Sequence, residues 1–305
     1  MTVTQALVAK PPLVLAAVKA LRIKQWTKNG VLFAPLLFAK GVVREGLPLK
    51  SAVAVAAFSL LASGVYLVND WADKDNDRHH PEKRHRPIAA GLLSLPVVLL
   101  LVALCWGAAG ALGLWLGPSF LSVCFAYLGL QALYTWALKK AVILDVMAIA
   151  LGFILRVVAG AVAIDVVVSN WLFLCTLLLA VFLGFAKRRH ELSSLEGSAG
   201  AHRANLEDYS LPMLDQMMSI SAASTILAYG LYTVSAETVE HVGTDKLKYT
   251  VPLVVYGVFR YLFLVHKRGA GGSPEKVLLS DAPLMVDIGL FIAIAAWALY
   301  FPHVF

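Results

Sequence analysis

The sequence predicts an all-α integral membrane protein, a bundle of nine transmembrane helices. Three observations carry that prediction. Of the 305 residues, 59% are hydrophobic and only 15% are charged. The mean hydropathy is +0.75. The apolar residues also fall in long uninterrupted runs. A soluble domain usually carries roughly 45–50% apolar and about 25% charged residues. The same figures exclude a disordered chain, and three cysteines exclude a disulfide-stapled scaffold. A formal charge of +7 would suit nucleic acid in a soluble protein. Here it is expected on loops at one membrane face, and no nucleic-acid partner is expected.

Residues 11–22 come first. They form an apolar stretch between Lys10 and the group Lys19, Arg22 and Lys24, without the small-residue cleavage site of a signal peptide. A helix lying in the membrane interface is expected there, within an N-terminal segment 1–24. A crossing needs about 20 mostly apolar residues to span roughly 30 Å of hydrocarbon. Such runs follow at 25–41, 51–69, 92–113, 118–138, 141–164, 171–186, 211–233, 248–266 and 283–303, the first and sixth being short. There is no clear internal repeat, so residues 1–305 are expected to form a single domain. With the N-terminus in the cytoplasm, 19 Lys/Arg lie in inside segments and five outside. The positive-inside rule then favours a cytoplasmic N-terminus and, after nine crossings, an outside C-terminus.

The densest chemistry is the acidic–basic loop 70–91, introduced by Asn69 in NDWADKDNDRHHPEKRHRPIAAG. Asp70, Asp73, Asp75 and Asp77 start where the second crossing ends. If the helix continues, Asp70, Asp73 and Asp77 share one face, being three and four residues apart. Three carboxylates on one face repel unless a cation sits among them, and Mg²⁺ commonly joins a few carboxylates to substrate phosphates. Arg78, Lys83, Arg84 and Arg86 follow, and guanidinium groups suit phosphate oxygens. A metal-holding acidic face beside a basic cluster is what a diphosphate leaving group needs. A charged solvated loop would explain the basic residues but not the aspartate spacing. An EF-hand is excluded by its missing glycine and closing glutamate. His79, His80 and His85 lack thiolates and zinc spacing.

Other polar groups border the apolar runs. RIKQWTKN offers Lys24 and Lys28 for phosphate, or for anionic lipid with Trp26 as an interface anchor. YTWALKK offers Tyr134 and Lys139 at the end of the fourth crossing. Asp145 and Arg156 lie inside the fifth. Ionisable residues there are costly and usually face a cavity or a partner helix. They are eleven apart and share a helix face. After the sixth crossing, Lys187 and Glu191 either pair along one helix, or Lys187 and Arg188 bind phosphate while Glu191 assists a metal. Glu207, Asp208 and Tyr209 precede the seventh crossing, where a helix cap is expected. Arg260 either faces the cavity or snorkels, and Glu275 and Asp281 satisfy local caps. Cys105, Cys124 and Cys175 are expected to be small apolar residues.

The aspartate loop resembles the first acidic motif of the UbiA-type polyprenyltransferase superfamily, NDxxDxxxD followed by KxxRP(I/L)xxG. Asn69, Asp70, Asp73, Asp77, Lys83, Arg86, Pro87 and Gly91 all fall in place. The resemblance covers almost the whole chain. It implies a nine-helix UbiA-type bundle in the bacterial inner membrane, with an active cavity facing the cytoplasm and opening sideways into the bilayer. Most members move a prenyl group from its diphosphate to an acceptor, and a second motif of form DxxxD usually follows the sixth crossing. This chain has KRRHE there, Lys187–Glu191, and YTWALK after the fourth. Both departures resemble the branch that takes phosphoribosyl diphosphate as donor and a polyprenyl (decaprenyl) phosphate as acceptor, serving arabinan of the cell wall.

That resemblance implies a Mg²⁺-dependent phosphoribosyltransferase. Asp70, Asp73 and Asp77 would hold the metal, with Asp73, Asp77, Lys187 and Glu191 as catalytic residues. Substrate binding would fall to Lys24, Lys28, Asn69, Arg78, Lys83, Arg86, Tyr134, Lys139, Asp145, Arg156 and Arg188. The alternative is a prenyl diphosphate-dependent enzyme acting on an aromatic acceptor such as 4-hydroxybenzoate; a transporter is the weaker alternative.

Overall fold

A computed structural model of the chain describes residues 12–79, 83–194 and 206–301. Residues 1–11 of the N-terminal segment, residues 80–82 of the acidic–basic loop (with His80) and part of the loop after the sixth crossing lie outside the described residues. Among the described residues every regular element is helical. Among the described residues seven helices are long and apolar enough to cross a membrane, and the protein is a multi-pass membrane protein.

The first helix, α1 (Leu13–Ala20), turns Ala16 and Ala20 inward and leaves Leu13, Val14, Leu15 and Val18 exposed. The chain then reverses at Arg22, whose φ is +53°. The run expected as a first crossing is not one α-helix. It is a 3-10 segment, Ile23–Phe33, followed by the short α2 (Ala34–Phe38). Lys28, Asn29 and Gly30 interrupt its apolar face, and Pro35 restricts the backbone before it. The 3-10 segment packs instead between the second and fifth expected crossings, α3 (Leu47–Ala72) and α7 (Leu144–Ala163).

Between these lie α4 (Lys74–His79), α5 (Leu95–Leu116) and α6 (Pro118–Trp136). Helix α6 covers the fourth expected crossing but is not among the seven. Ser119, Ser122, Gln131 and Thr135 make it more polar than its neighbours. After α7 come α8 (Asn170–Ser193), α9 (Leu211–Val234), α10 (Ala236–Val242), α11 (Val251–Arg268), α12 (Pro274–Ser280) and α13 (Ala282–Tyr300). Ser169 caps α8 by accepting from the Leu172 N–H at 3.1 Å. Ser210, rather than Glu207 or Asp208, caps α9 through the Met213 N–H at 3.3 Å. Asp281 caps α13 as expected, through the Leu284 N–H at 3.1 Å.

The bundle has two packed halves. One joins α3, α5, α6 and α7 around Phe58, Phe120 and Tyr127. The other joins α8, α9 and α11 around Phe182, Leu214, Met218 and Tyr261. Lipid tails are as apolar as these side chains, so close fit rather than water exclusion holds such helices together. Small residues make the fit. A Cβ at Gly160 would lie 2.2 Å from the Leu32 carbonyl oxygen, so α7 touches the 3-10 segment there backbone to backbone. Gly160→Ala is expected to destabilise the protein by about 1–3 kcal/mol, the scale of overpacking. Thermal unfolding in detergent measures it, and an unchanged midpoint would contradict this packing.

Candidate active site

The C-terminal end of α3 delivers Asn69 and Asp70. The condition on which Asp70, Asp73 and Asp77 would share one face, a helix continuing through Asp77, is not met. The helix stops at Ala72, Asp73 takes φ −94° and ψ 5°, and α4 begins at Lys74. Carboxylates at a helix C-terminus oppose its dipole, whereas the restart puts Asp75 and Asp77 in a first turn, where they are favoured.

Asp70 and Asp77 still converge, because Arg86 joins them. Its Nη1 lies 3.0 Å from Asp70 Oδ1 and 2.6 Å from Asp77 Oδ2. Arg22 Nη2 adds a contact of 2.5 Å to Asp70 Oδ1. Both carboxylates are 4% exposed. Asp73 stands apart from this pair, half-buried, with Lys139 Nζ at 3.4 Å. Among the described residues no three His, Cys, Asp or Glu side chains gather closely enough to hold a metal alone. The donor set nevertheless fits a hard divalent cation. Two buried carboxylates demand positive charge, and Mg²⁺ ordinarily takes one or two carboxylates with water and substrate phosphates.

Not every residue of the motif faces this pair. Asn69 Oδ1 accepts from the Thr135 hydroxyl at 3.1 Å and ties α3 to α6. Arg78 donates through Nε to the Ala89 carbonyl at 3.2 Å and pairs with Asp75 at 3.0 Å, binding α4 to the turn that ends at Gly91. Lys83 lies in a 3-10 turn, Lys83–His85, just before Arg86.

A second cluster surrounds Arg188, which is fully buried near the end of α8. Its Nε lies 2.6 Å from Asp145 Oδ2. Nη1 pairs with Glu191, and Nη2 lies 3.4 Å from the Tyr134 hydroxyl. Arg188 thus pairs with Glu191 on its own helix and with Asp145 on α7. Asp145 Oδ1 accepts from the Tyr209 hydroxyl at 3.0 Å. That hydroxyl accepts in turn from the Ile143 N–H at 2.6 Å. Ile143 has φ +69°, a rare conformation for a β-branched residue. Burial, with Asp145 beside it, pushes the Tyr209 hydroxyl up to about 12.

Arg156 points elsewhere. Its Nε donates to Asn29 Oδ1 at 2.8 Å, Nη1 to the Gly152 carbonyl at 2.9 Å and Nη2 to the Tyr127 hydroxyl at 3.0 Å. Asp145 and Arg156 therefore share a helix but serve separate networks. Lys28 Nζ lies 3.7 Å from Glu275 Oε1, and Gln25 Nε2 donates to the same oxygen at 3.2 Å. Glu275 is thus not a local cap. Lys24 is exposed on the 3-10 segment. Arg260 grips Asp281 with two bonds of 3.0 and 2.9 Å. That grip holds the Asp281 carboxyl below the usual carboxylate range. Sequence reasoning missed Tyr209, read as part of a cap, and Glu275, read as a loop acid. A lone acid or phenol in a loop carries no spacing signal.

These networks link the loop ends after α3, α6, α8 and α11, which lie at one end of the bundle. The fold and this cluster of charged side chains define a membrane-embedded enzyme of the prenyltransferase type. The chain belongs to the UbiA prenyltransferase family, whose model matches residues 30–277. It is 34% identical over 308 residues to the decaprenyl-phosphate phosphoribosyltransferase of Mycobacterium tuberculosis, covering 98% of this chain and 99% of that one. It is 32% identical over 305 residues to the decaprenyl-phosphate phosphoribosyltransferase of Mycolicibacterium smegmatis, covering 96% of each. Its fold is that of a UbiA homolog from Archaeoglobus fulgidus bound to GPP and Mg²⁺. The TM-score is 0.71 at 18% identity, over 93% of this chain and 99% of that one.

Proposed function

We propose that this chain transfers the 5-phosphoribosyl group from phosphoribosyl diphosphate to a polyprenyl phosphate, releasing diphosphate. The observation that carries the proposal is similarity along nearly the whole chain to two proteins named for decaprenyl-phosphate phosphoribosyl transfer. The site supports it chemically. Arg188 and Glu191 stand where prenyl-transferring members usually carry a second aspartate motif, and they sit in a salt-bridged network around Asp145.

The chain is one domain crossing the bacterial inner membrane nine times, with the 3-10 segment plus α2 and α6 completing the seven apolar helices. Its N-terminus and an active cavity at the Asp70–Asp77 end face the cytoplasm, α1 lies in the interface, and the C-terminus is outside. Basic loop residues support this orientation.

Asp70 and Asp77 would hold Mg²⁺, and Asp73, apart from them at Lys139, is the third carboxylate of the motif. When bound, the metal neutralises charge that grows on the departing diphosphate. Arg22 and Arg86 already lie at this carboxylate pair and are placed to take diphosphate oxygens. Lys139 at Asp73, with Lys83, Lys187 and Arg188, extends the positive wall. A phosphate oxygen of the acceptor attacks ribose C1, and the C1–O bond breaks with its electron pair leaving on diphosphate. Positive charge developing at C1 is tolerated beside Glu191, which also suits ribose hydroxyls, while the fully buried Asp145 holds Arg188 in place. A phosphate anion needs no general base, so no chain residue has to remove a proton.

Purified protein given labelled phosphoribosyl diphosphate and decaprenyl phosphate is expected to form labelled lipid, and chelation of divalent metal is expected to abolish it. No labelled lipid, with a prenylated 4-hydroxybenzoate appearing instead from a prenyl diphosphate, would replace this reading with the aromatic one.

A further inference from the structure

Arg156 is a buried cation with neutral partners. It is 6% exposed, and its three hydrogen bonds go to an amide, a carbonyl and a phenol. The rings of Phe58, Tyr127 and Phe153 surround its guanidinium at 5.6, 5.0 and 5.2 Å. None of its described ion-pair partners is a carboxylate. A charge held at this depth ordinarily faces a counter-charge or a polar cavity.

Lys28 precedes Asn29, the residue that Arg156 holds, and lies within electrostatic range of both Arg156 and Arg22. Arg22 is already neutralised by Asp70. Glu275 is the carboxylate that pairs with Lys28. The Tyr261 hydroxyl, on α11, is 3% exposed, has no hydrogen-bond partner and lies within electrostatic range of Glu275. An ammonium at 3.7 Å and an orphaned hydroxyl within electrostatic range therefore lie about one borrowed anion, and the unbalanced Arg156 guanidinium lies within electrostatic range of that ammonium.

Glu275 comes from α12, a seven-residue helix following the turn 269–272. That turn is seated on α8, where a Cβ at Gly271 would lie 2.5 Å from the Ala186 carbonyl oxygen. The carboxylate thus reaches the 3-10 segment from a short strap rather than from a crossing helix.

We propose that the phosphate of the lipid acceptor binds at Lys28 and Arg156, with Gln25 and Tyr261 as further donors, and that Glu275 fills this subsite as an internal anion until the lipid phosphate displaces it. This rests on the phosphoribosyl-transfer reading and assigns the acceptor a subsite distinct from the carboxylate end at Arg86. A monoester dianion matches two cations. It and Glu275 repel each other there, so the strap withdraws when the acceptor arrives.

The test is binding of farnesyl phosphate to the detergent-solubilised protein, with farnesol as the uncharged control and phosphoribosyl diphosphate as the donor control. Glu275→Gln is expected to tighten farnesyl phosphate binding roughly tenfold, the scale of one charge-assisted contact. Lys28→Gln is expected to weaken it by about the same factor, and Arg156→Lys to weaken it less. Farnesol binding is expected to stay unchanged in all three, and donor binding to stay within about twofold in Glu275→Gln. A merely structural Glu275 would weaken binding on substitution. Weaker or unchanged binding in Glu275→Gln, or unchanged binding in Lys28→Gln, overturns the proposal. If the expected pattern appears but no ribosyl lipid ever forms, the transfer reading falls and the phosphate subsite stands. If ribosyl lipid forms without the pattern, the subsite alone falls.

Discussion

Asp77→Asn is expected to lower phosphoribosyl transfer by at least about a hundredfold to a thousandfold, and Asp70→Asn by as much. Each amide keeps the shape of its side chain and removes one negative charge from the buried pair that Arg86 joins at 3.0 and 2.6 Å. A neutral amide is a poor ligand for Mg²⁺. It also frees Arg86 from one of its two anions, so both the metal end and the guanidinium end of the donor clamp change at once. The loss should fall on kcat more than on the KM for the lipid, because the leaving diphosphate gains charge only as the bond breaks. Turnover in a single-cycle assay measures it, with the unfolding midpoint as a control for folding. Near-normal turnover in a folded Asp77→Asn protein would remove the diphosphate from this end of α3.

Arg188→Met is expected to destabilise the protein by about 3–5 kcal/mol, the cost of leaving a buried charge without its partner. Asp145 and Arg188 are both fully buried, 2.6 Å apart, and α7 and α8 meet through them. Helix packing alone does not replace the lost cation. Glu191 is part-exposed and can turn to water, but Asp145 cannot. Asp145→Asn in the Arg188→Met background should therefore recover much of the loss, since no unbalanced ion then remains. Unfolding of the two single variants and the double variant closes the cycle. Simple additivity would mean that the two charges do not stabilise one another.

The acidic–basic loop was readable because its chemistry is local. Asn69, Asp70, Asp73, Asp77, Lys83 and Arg86 lie within eighteen residues, and helix periodicity predicts which of them approach one another. Periodicity failed at Asp73, where the end of α3 and the start of α4 redistribute the carboxylates relative to two helix dipoles. It failed again at residues 25–41. Hydropathy sees an apolar run there, while Asn29 and Gly160 require a 3-10 segment lying against α7. The pairs Arg188–Asp145, Arg260–Asp281 and Lys28–Glu275 could not be read at all, because their two members lie on different elements.

The sequence by itself determined that the chain crosses a membrane, that its chemistry collects at the ends of particular crossings, and that carboxylates and guanidinium groups share one loop. Composition and spacing are properties of the chain alone, and hydrocarbon solvent admits few backbones that satisfy their own hydrogen bonds. Only the tertiary structure decided that Arg86 bridges Asp70 and Asp77, that Asp145 answers Arg188, and that Arg156 is left to neutral partners. Charges taken out of water select counter-charges by distance in space, and that distance exists only after the helices have packed.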